Sequence, residues 1–182
     1  MSSSTTLIFD SSKILDSSIH SEDDPDMDYT ISTVKRRSSR QTTSLAGASG
    51  TPTAIIDWKS DTFAISGSTR KVEQLRTKRG TFSSSRYWSW YDQEEYRVKY
   101  AAEMEYTWSI YGYDGTVLAT FTNIQRFFNN NSMPVLHMSP SINNEFERQF
   151  LILILLYSET KRMESLKERP FSMVADFTGR GR

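Results

Sequence analysis

The sequence predicts a mainly β (α+β) fold, in which an antiparallel sheet closes into a barrel around one hydrophobic C-terminal helix at about residues 145–163. Three observations lead to this fold class. Aromatic residues make up 13% of the 182 residues and hydrophobic residues only 37%, a balance typical of antiparallel sheet with one solvated face. Short β-branched and aromatic runs recur before the last part of the chain. The run 150–156, in contrast, is apolar on every side, so a helix formed there must be enclosed by the rest of the molecule.

The helix is predicted from the charges that border this apolar run. Glu145 and Glu147 precede it, and Lys161 and Arg162 follow it, so the uncharged stretch is shorter than the roughly 20 residues of a bilayer span. We therefore expect no transmembrane segment. The acidic residues in the first turn and the basic residues in the last turn suit the helix macrodipole, and Asn143 or Asn144 can cap the start.

Nine segments are strand candidates because β-branched, aromatic or alternating apolar residues dominate them. These segments are 5–9, 28–34, 54–58, 62–65, 71–78, 96–100, 106–110, 117–121 and 135–138. Asp114-Gly115 between two of them predicts a hairpin with a type I′ turn. Since a helix that is apolar all round must be surrounded by sheet, a closed or nearly closed barrel satisfies the pattern.

The chain length suits one domain, which we place at residues 1–165. Residues 35–53 are basic and then small and polar, with nothing to bury, so they predict a mobile loop. Residues 166–182 are charged and weakly apolar and predict a C-terminal tail.

Charge and cysteine content limit the classes of partner and compartment. Lys+Arg and Asp+Glu both number 22, so no global field recruits nucleic acid, and we expect no nucleic-acid partner. The chain has no cysteine, and its first residues lack a signal peptide. These features predict an intracellular, cytoplasmic monomer, with peripheral membrane association as an option.

Catalytic signals are weak. The two histidines, His20 and His137, lie far apart in the sequence, and neither a nucleophile motif nor a glycine-rich phosphate loop occurs. A glycosidase needs a pair of carboxylates, and four glutamates are candidates: Glu94, Glu95, Glu103 and Glu105. All of them flank predicted strands whose other positions form an ordinary solvated face. We expect no enzyme activity, no catalytic residues, no cofactor and no metal site.

The order of motifs resembles a known group of proteins. It runs TTLIF, YTISTV, AIIDW, SSSRYWSWYDQEEYRVKY, a hairpin ending in VLATF, and FLILILLYSETKR. This order over residues 5–165 resembles a family of uncharacterised fungal proteins, mainly basidiomycete, which is similar to the tubby C-terminal-like superfamily with its plant LURP-one-related proteins and phospholipid scramblases. The resemblance implies a twelve-stranded tubby-like barrel around a C-terminal helix and an association with phosphoinositide headgroups, and it supplies no catalytic residues. The usual Asp-Gly of the central strand motif is Asp92-Gln93 here.

Two basic segments are candidate sites. The first candidate, for an anion or headgroup, lies on and around one predicted strand and consists of Arg70, Lys71, Arg76, Lys78 and Arg79. A solvated sheet edge guarded by basic residues explains the same pattern. The second candidate is phosphorylation of Ser39, because Arg36 and Arg37 precede it at the spacing that basophilic kinases recognise.

The functional hypothesis is a non-enzymatic intracellular barrel domain that binds membrane phospholipid headgroups, anionic ones in particular, or a protein partner. Two alternatives stay open. One is an enzyme or lipid-handling protein with a site at the barrel mouth, and the other is a structural interaction module without a ligand. A deep pocket with convergent carboxylates or with His137 would favour the former.

Overall fold

The computed structural model describes residues 4–22, 24, 27–37, 39–80, 85–92, 94–101, 107–123 and 132–168. These ranges contain thirteen β-strands, one helical turn and one long helix. The strands are β1 (Thr5–Phe9), β2 (Ser17–Ser21), β3 (Tyr29–Arg36), β4 (Ser39–Ala46), β5 (Pro52–Asp57), β6 (Thr62–Ile65), β7 (Ser68–Lys71), β8 (Arg76–Thr77), β9 (Arg86–Trp88), β10 (Tyr96–Ala101), β11 (Thr107–Tyr111), β12 (Val117–Thr122) and β13 (Val135–Met138). The helices are α1 (Val72–Leu75) and α2 (Glu145–Glu168).

All thirteen strands belong to one antiparallel sheet, in the order β7-β6-β5-β4-β3-β2-β1-β13-β12-β11-β10-β9-β8. Every pairing in this sheet joins strands that are consecutive in sequence except that of β1 with β13, which joins the N-terminal half of the sheet to the C-terminal half. The two edge strands, β7 and β8, are separated in sequence only by α1. A mainly β fold with antiparallel pairing and one C-terminal helix is thereby confirmed.

Side-chain alternation explains why the strands form. In β3, Tyr29 and Ile31 are buried while Thr30 and Ser32 are exposed, and β10 repeats this pattern. Because successive side chains of a strand point to opposite faces, each strand offers one apolar face to the core.

Helix α2 occupies the core. Eight consecutive residues, 150–157, are at most 3% exposed. Phe150 packs edge-on against Trp90, with ring centroids 5.4 Å apart, and Tyr157 stacks on Trp58 at 5.6 Å. Since Trp58 follows β5 and Trp90 follows β9, both halves of the sheet cover the helix, as its all-round apolar surface requires.

The start of α2 is held by polar contacts. The Oδ1 atom of Asn144 accepts a hydrogen bond from the Phe146 amide at 2.9 Å, which confirms the predicted cap. The hydroxyls of Tyr29 and Tyr96 donate to Glu145 and Glu147, each at 2.9 Å. Burial first, and then these carboxylates, raise the pKa of both tyrosines. The first turn is therefore fixed to β3 and to β10.

The prediction of one continuous strand at 71–78 is wrong, because only Lys71 and Arg76–Thr77 lie in strands. The chain instead leaves β7, makes the single turn α1 and continues into β8. Val72 and Leu75 are 0% and 1% exposed, and this spacing of three places both side chains on one face of a helical turn.

The mobile loop predicted at 35–53 is also wrong, because β4 lies within it between β3 and β5. A strand with partners on both sides gains a full ladder of backbone hydrogen bonds and therefore needs few apolar side chains. Thr43 is 1% exposed, and its hydroxyl lies 2.8 Å from the Thr33 hydroxyl and accepts the Trp58 indole N–H at 2.8 Å.

Two further boundaries differ from the predictions. The β11–β12 hairpin is confirmed, but Tyr111 pairs with Val117, so five residues form the connection instead of a two-residue type I′ turn. Only Gly115 of that connection has positive φ, at 81°. Asp114 Oδ1 accepts hydrogen bonds from the Thr116 hydroxyl and amide, and these bonds lower the pKa of Asp114. Tyr106, the first residue of the strand predicted at 106–110, lies outside the described residues.

Helix α2 extends into the predicted C-terminal tail and includes residues 166–168. Residues 169–182 of that tail lie outside the described residues.

Candidate binding sites at the sheet edge and beside the helix

The predicted basic cluster lies on β7, on β8 and directly after β8, at the two edges of the sheet. The guanidinium of Arg70 lies 5.9 Å from the ring centroids of Trp90 and Tyr91. That of Arg76 lies 5.7 Å from the rings of Trp88 and Tyr157. Arg70 and Arg76 are half-buried, so these arginines cover core aromatic rings.

The remaining members of the cluster face solvent. Arg79 donates two hydrogen bonds to Glu95, at 2.9 and 2.5 Å. Lys71 lies 3.5 Å from a Glu73 carboxylate oxygen, and Lys78 is exposed. An anion at this edge would have to compete with these carboxylates, and the placement of basic residues on both edge strands is what a guarded edge predicts.

The other predicted positions are not brought together into one site. Ser39 is exposed and pairs with Arg36 at the end of the β3–β4 hairpin, and Arg37 in its turn has φ 48°. His20 Nδ1 lies 3.3 Å from Asp28 Oδ2, and His137 Nδ1 lies 3.1 Å from Thr6 Oγ1. Ser39 thus stays a candidate for phosphorylation.

A cavity of about 400 Å³ opens beside the C-terminal half of α2. It lies between that helix, the β1–β2 connection, the β3–β4 hairpin and the end of β12. Its lining combines four cationic and three carboxylate side chains with polar and apolar ones. The lining residues are Ser12, Lys13, Ile14, Leu15, Asp16, Lys35, Arg40, Asn123, Glu159, Thr160, Met163, Glu164 and Lys167.

The inner wall of the cavity is a buried polar cluster around Glu159, which is 1% exposed. Its carboxylate accepts hydrogen bonds at 2.9 Å from the Trp108 indole and at 2.9 Å from the Asn123 amide nitrogen. Arg162 donates two more, at 2.7 and 2.8 Å. Asn123 is 3% exposed, and its Oδ1 atom accepts no hydrogen bond in the described part of the chain.

The outer wall is held by a second set of contacts. Asp16 accepts hydrogen bonds from the Thr33 amide at 2.9 Å and from Lys35 Nζ at 3.2 Å. The Thr33 hydroxyl donates to the Leu15 carbonyl at 2.6 Å. Arg40 forms an ion pair with Glu164, which connects β4 to α2. Both sides of the cavity are therefore positioned before any ligand binds.

Two rim lysines differ from the other cations of the cavity. Lys13 and Lys167 are exposed, and neither ammonium group forms an ion pair within the described ranges. They can meet an incoming anion without first breaking an internal contact.

The sequence analysis missed this cavity. Its members come from four separate segments, and no local motif connects them. One signal was present, because Glu159 and Thr160 lie one residue beyond eight consecutive buried residues of a helix enclosed by sheet. Polar residues in such a position must be paired with other groups, and their partners mark the site.

Fold and cavity together define a mainly antiparallel β domain with a buried C-terminal helix and a polar cavity at the end of that helix. Residues 12–164 match the model of a family of unknown function, DUF6593, and the chain belongs to this family. The match includes the predicted edge cluster and every cavity residue except Lys167. No curated protein and no solved structure matches the chain. Within the described residues, no helix is both long and apolar enough to cross a membrane.

Proposed function

We propose that the chain is a non-enzymatic domain that binds membrane phospholipid headgroups at the end of the molecule where the cavity opens. The observation that carries this proposal is the cavity itself, with its pre-positioned polar walls and the rim lysines Lys13 and Lys167. It replaces the edge cluster as the candidate site, because Arg70, Arg76 and Arg79 are engaged in internal contacts.

The surroundings of the cavity suit a membrane surface. Val34 and Leu166, which are 62% and 50% exposed, directly precede the cavity-lining Lys35 and Lys167 in sequence. Exposed apolar side chains beside basic ones favour the boundary between headgroups and acyl chains. The net charge of the whole chain is zero, so attraction to an anionic membrane depends on such a local surface.

The proposal includes closure of the sheet into a tubby-like barrel around α2. Support comes from the edge strands, which are joined by α1 alone, and from two hydrogen bonds beside this connection. The Val72 amide donates to the Asp61 carbonyl, and the Ser89 amide donates to the Leu75 carbonyl, both at 2.9 Å. A closed barrel leaves no free edge for pairing with another chain and provides a rigid frame for the cavity.

Co-sedimentation with liposomes tests the function. Wild type should bind vesicles that contain anionic phospholipid, and binding should weaken as added salt screens the charges. The double variant Lys13→Glu/Lys167→Glu should bind at least about 30-fold more weakly, because each basic residue at an anionic surface adds about 1 kcal/mol.

Lys71→Glu/Lys78→Glu is the matched control, since it makes the same change in charge at exposed positions on the sheet edge. It should bind nearly as well as wild type. Loss of binding in this control alone would return the site to the edge. If wild type fails to sediment with any anionic vesicle at low salt, the headgroup function is wrong, and a protein partner becomes the better hypothesis.

A further inference from the structure

The charges of the cavity differ from those of a simple anion site. Four cationic side chains are accompanied by three carboxylates, Asp16, Glu159 and Glu164. Each carboxylate is paired with a cation, Asp16 with Lys35, Glu164 with Arg40 and Glu159 with Arg162, so both signs of charge are held at fixed positions in the walls. A ligand that carries both signs of charge matches such a lining better.

The inner wall offers hydrogen-bond acceptance. Asn123 Oδ1 has no donor within the described part of the chain, and its amide nitrogen is fixed on Glu159, so the oxygen cannot exchange places with it without losing that bond. Thr160, which follows Glu159 and carries a second side-chain oxygen, lines the same cavity. Asn123 lines the cavity, and an N–H donor that reached its Oδ1 atom from there would satisfy this acceptor, which is costly to leave without a donor where water does not reach it.

From these two observations, and resting on the proposed function, we infer that the cavity binds a phosphate ester that carries a primary ammonium group. The phosphate would lie at the rim between Lys13 and Lys167. The ammonium would lie at the inner wall, beside Asn123 Oδ1 and the Thr160 side chain. Serine phosphate and ethanolamine phosphate have this chemistry, either as phospholipid headgroups or as free molecules.

The test compares ligands that differ only in their N–H donors. Ethanolamine phosphate and choline phosphate share the same ester, but three methyl groups replace the N–H donors in choline. In titrations followed by calorimetry or NMR, the wild-type chain should prefer ethanolamine phosphate by roughly tenfold or more, the factor expected for a hydrogen bond to a charged group. The same comparison is made for lipids with vesicles of phosphatidylserine, which carries a primary ammonium group, and vesicles of phosphatidylglycerol, which does not. The two kinds of vesicle are matched in charge.

Two variants locate the ammonium contact. Asn123→Leu should remove the preference for ethanolamine phosphate while phosphate binding at the rim persists. Because Asn123 also contacts Glu159, the isosteric Thr160→Val provides a second variant, which should reduce the preference without unfolding the chain. Lys71→Glu, on the sheet edge, should leave the preference unchanged.

The outcomes separate this inference from the proposed function. If the chain prefers phosphatidylserine over phosphatidylglycerol vesicles, with or without a preference among the free esters, the ligand is a lipid headgroup. If it prefers ethanolamine phosphate over choline phosphate but binds no vesicle, the ligand chemistry is supported and the membrane function is refuted. Equal binding of ethanolamine and choline phosphates, together with equal binding of both vesicles, overturns the ammonium inference and leaves the headgroup function standing. Absence of binding in every arm overturns both.

Discussion

Replacing Glu159 with leucine should lower the free energy of unfolding by about 3–5 kcal/mol, the usual cost of removing one partner of a buried charge pair. The carboxylate accepts four hydrogen bonds, one each from Trp108 and Asn123 and two from Arg162. Leucine leaves all of these donors without their acceptor, and the Arg162 side chain is only 17% exposed. Against a total stability of about 5–15 kcal/mol, the loss is large.

Urea denaturation followed by tryptophan fluorescence measures this loss, because the midpoint should fall while the m-value stays constant. For a chain of this size the melting temperature should drop by roughly 10 °C or more. Glu159→Gln keeps the side-chain volume and one acceptor oxygen, and it should cost less.

The double variant Glu159→Leu/Arg162→Leu completes the comparison. It leaves no unpaired charge beside Trp108 and should be more stable than Glu159→Leu alone, with a coupling of about 0.5–3 kcal/mol between the two positions. If Glu159→Leu lies within about 1 kcal/mol of wild type, or if the two substitutions are simply additive, the buried cluster does not hold the cavity wall as argued.

Two further perturbations test the core and its titration. Leu153→Asp should unfold the whole domain, because Leu153 is 0% exposed and an unpaired buried charge costs several kcal/mol; a cooperative melt near that of wild type would contradict the enclosed helix. Burial, and then the hydrogen bond to Asp61, raises the pKa of Tyr157 to about 12, so its contribution to stability should be complete below about pH 10 and be lost as the pH rises towards 12. Tyr157→Phe should reduce the alkaline decline in urea midpoints measured between about pH 8 and 12, and Tyr29 and Tyr96 account for the part that persists. An unchanged decline would show that Tyr157 does not contribute to it.

The fold was largely predictable because its strongest signals are local. A run of buried residues with charged ends predicts an enclosed helix, and Asn144 caps α2 as its position before Glu145 suggests. Alternation in β3 and β10 is visible within a few residues of sequence. Such patterns depend on neighbouring side chains, so one sequence is enough to find them.

Strand β4 was missed because its stability does not come from its own side chains. Its ladder partners are supplied by β3 and β5, and Thr43 is buried only because Thr33 and Trp58 provide hydrogen-bond partners. A polar, small-residue segment of this kind has the composition of a loop until both neighbours are known.

The edge cluster stays a prediction, and its side-chain contacts could not be read from the sequence. Five basic residues close together in sequence suggest one common surface. In the structure, Arg70 and Arg76 instead lie over aromatic rings, and Arg79 forms an ion pair with Glu95. Clustering in sequence says nothing about which charges are already neutralised, and a strand directs alternate side chains to opposite faces.

Glu159 connects the stability of the core to the proposed site. The Glu159 carboxylate accepts hydrogen bonds from the Trp108 indole and from the amide nitrogen of Asn123. The amide oxygen of Asn123 has no donor among the residues that the structure describes. An apolar residue at position 159 would avoid the cost of burying a charge, but it would release Asn123 from its orientation. Under the proposed function, the buried cluster has a role beyond packing, which is to hold an acceptor in the wall of a cavity whose rim is basic. Glu159→Leu should therefore weaken the preference for ethanolamine phosphate over choline phosphate even when Arg162→Leu restores stability. A structural ion pair would affect stability alone, so a loss of preference in the stable double variant distinguishes a binding site from such a pair.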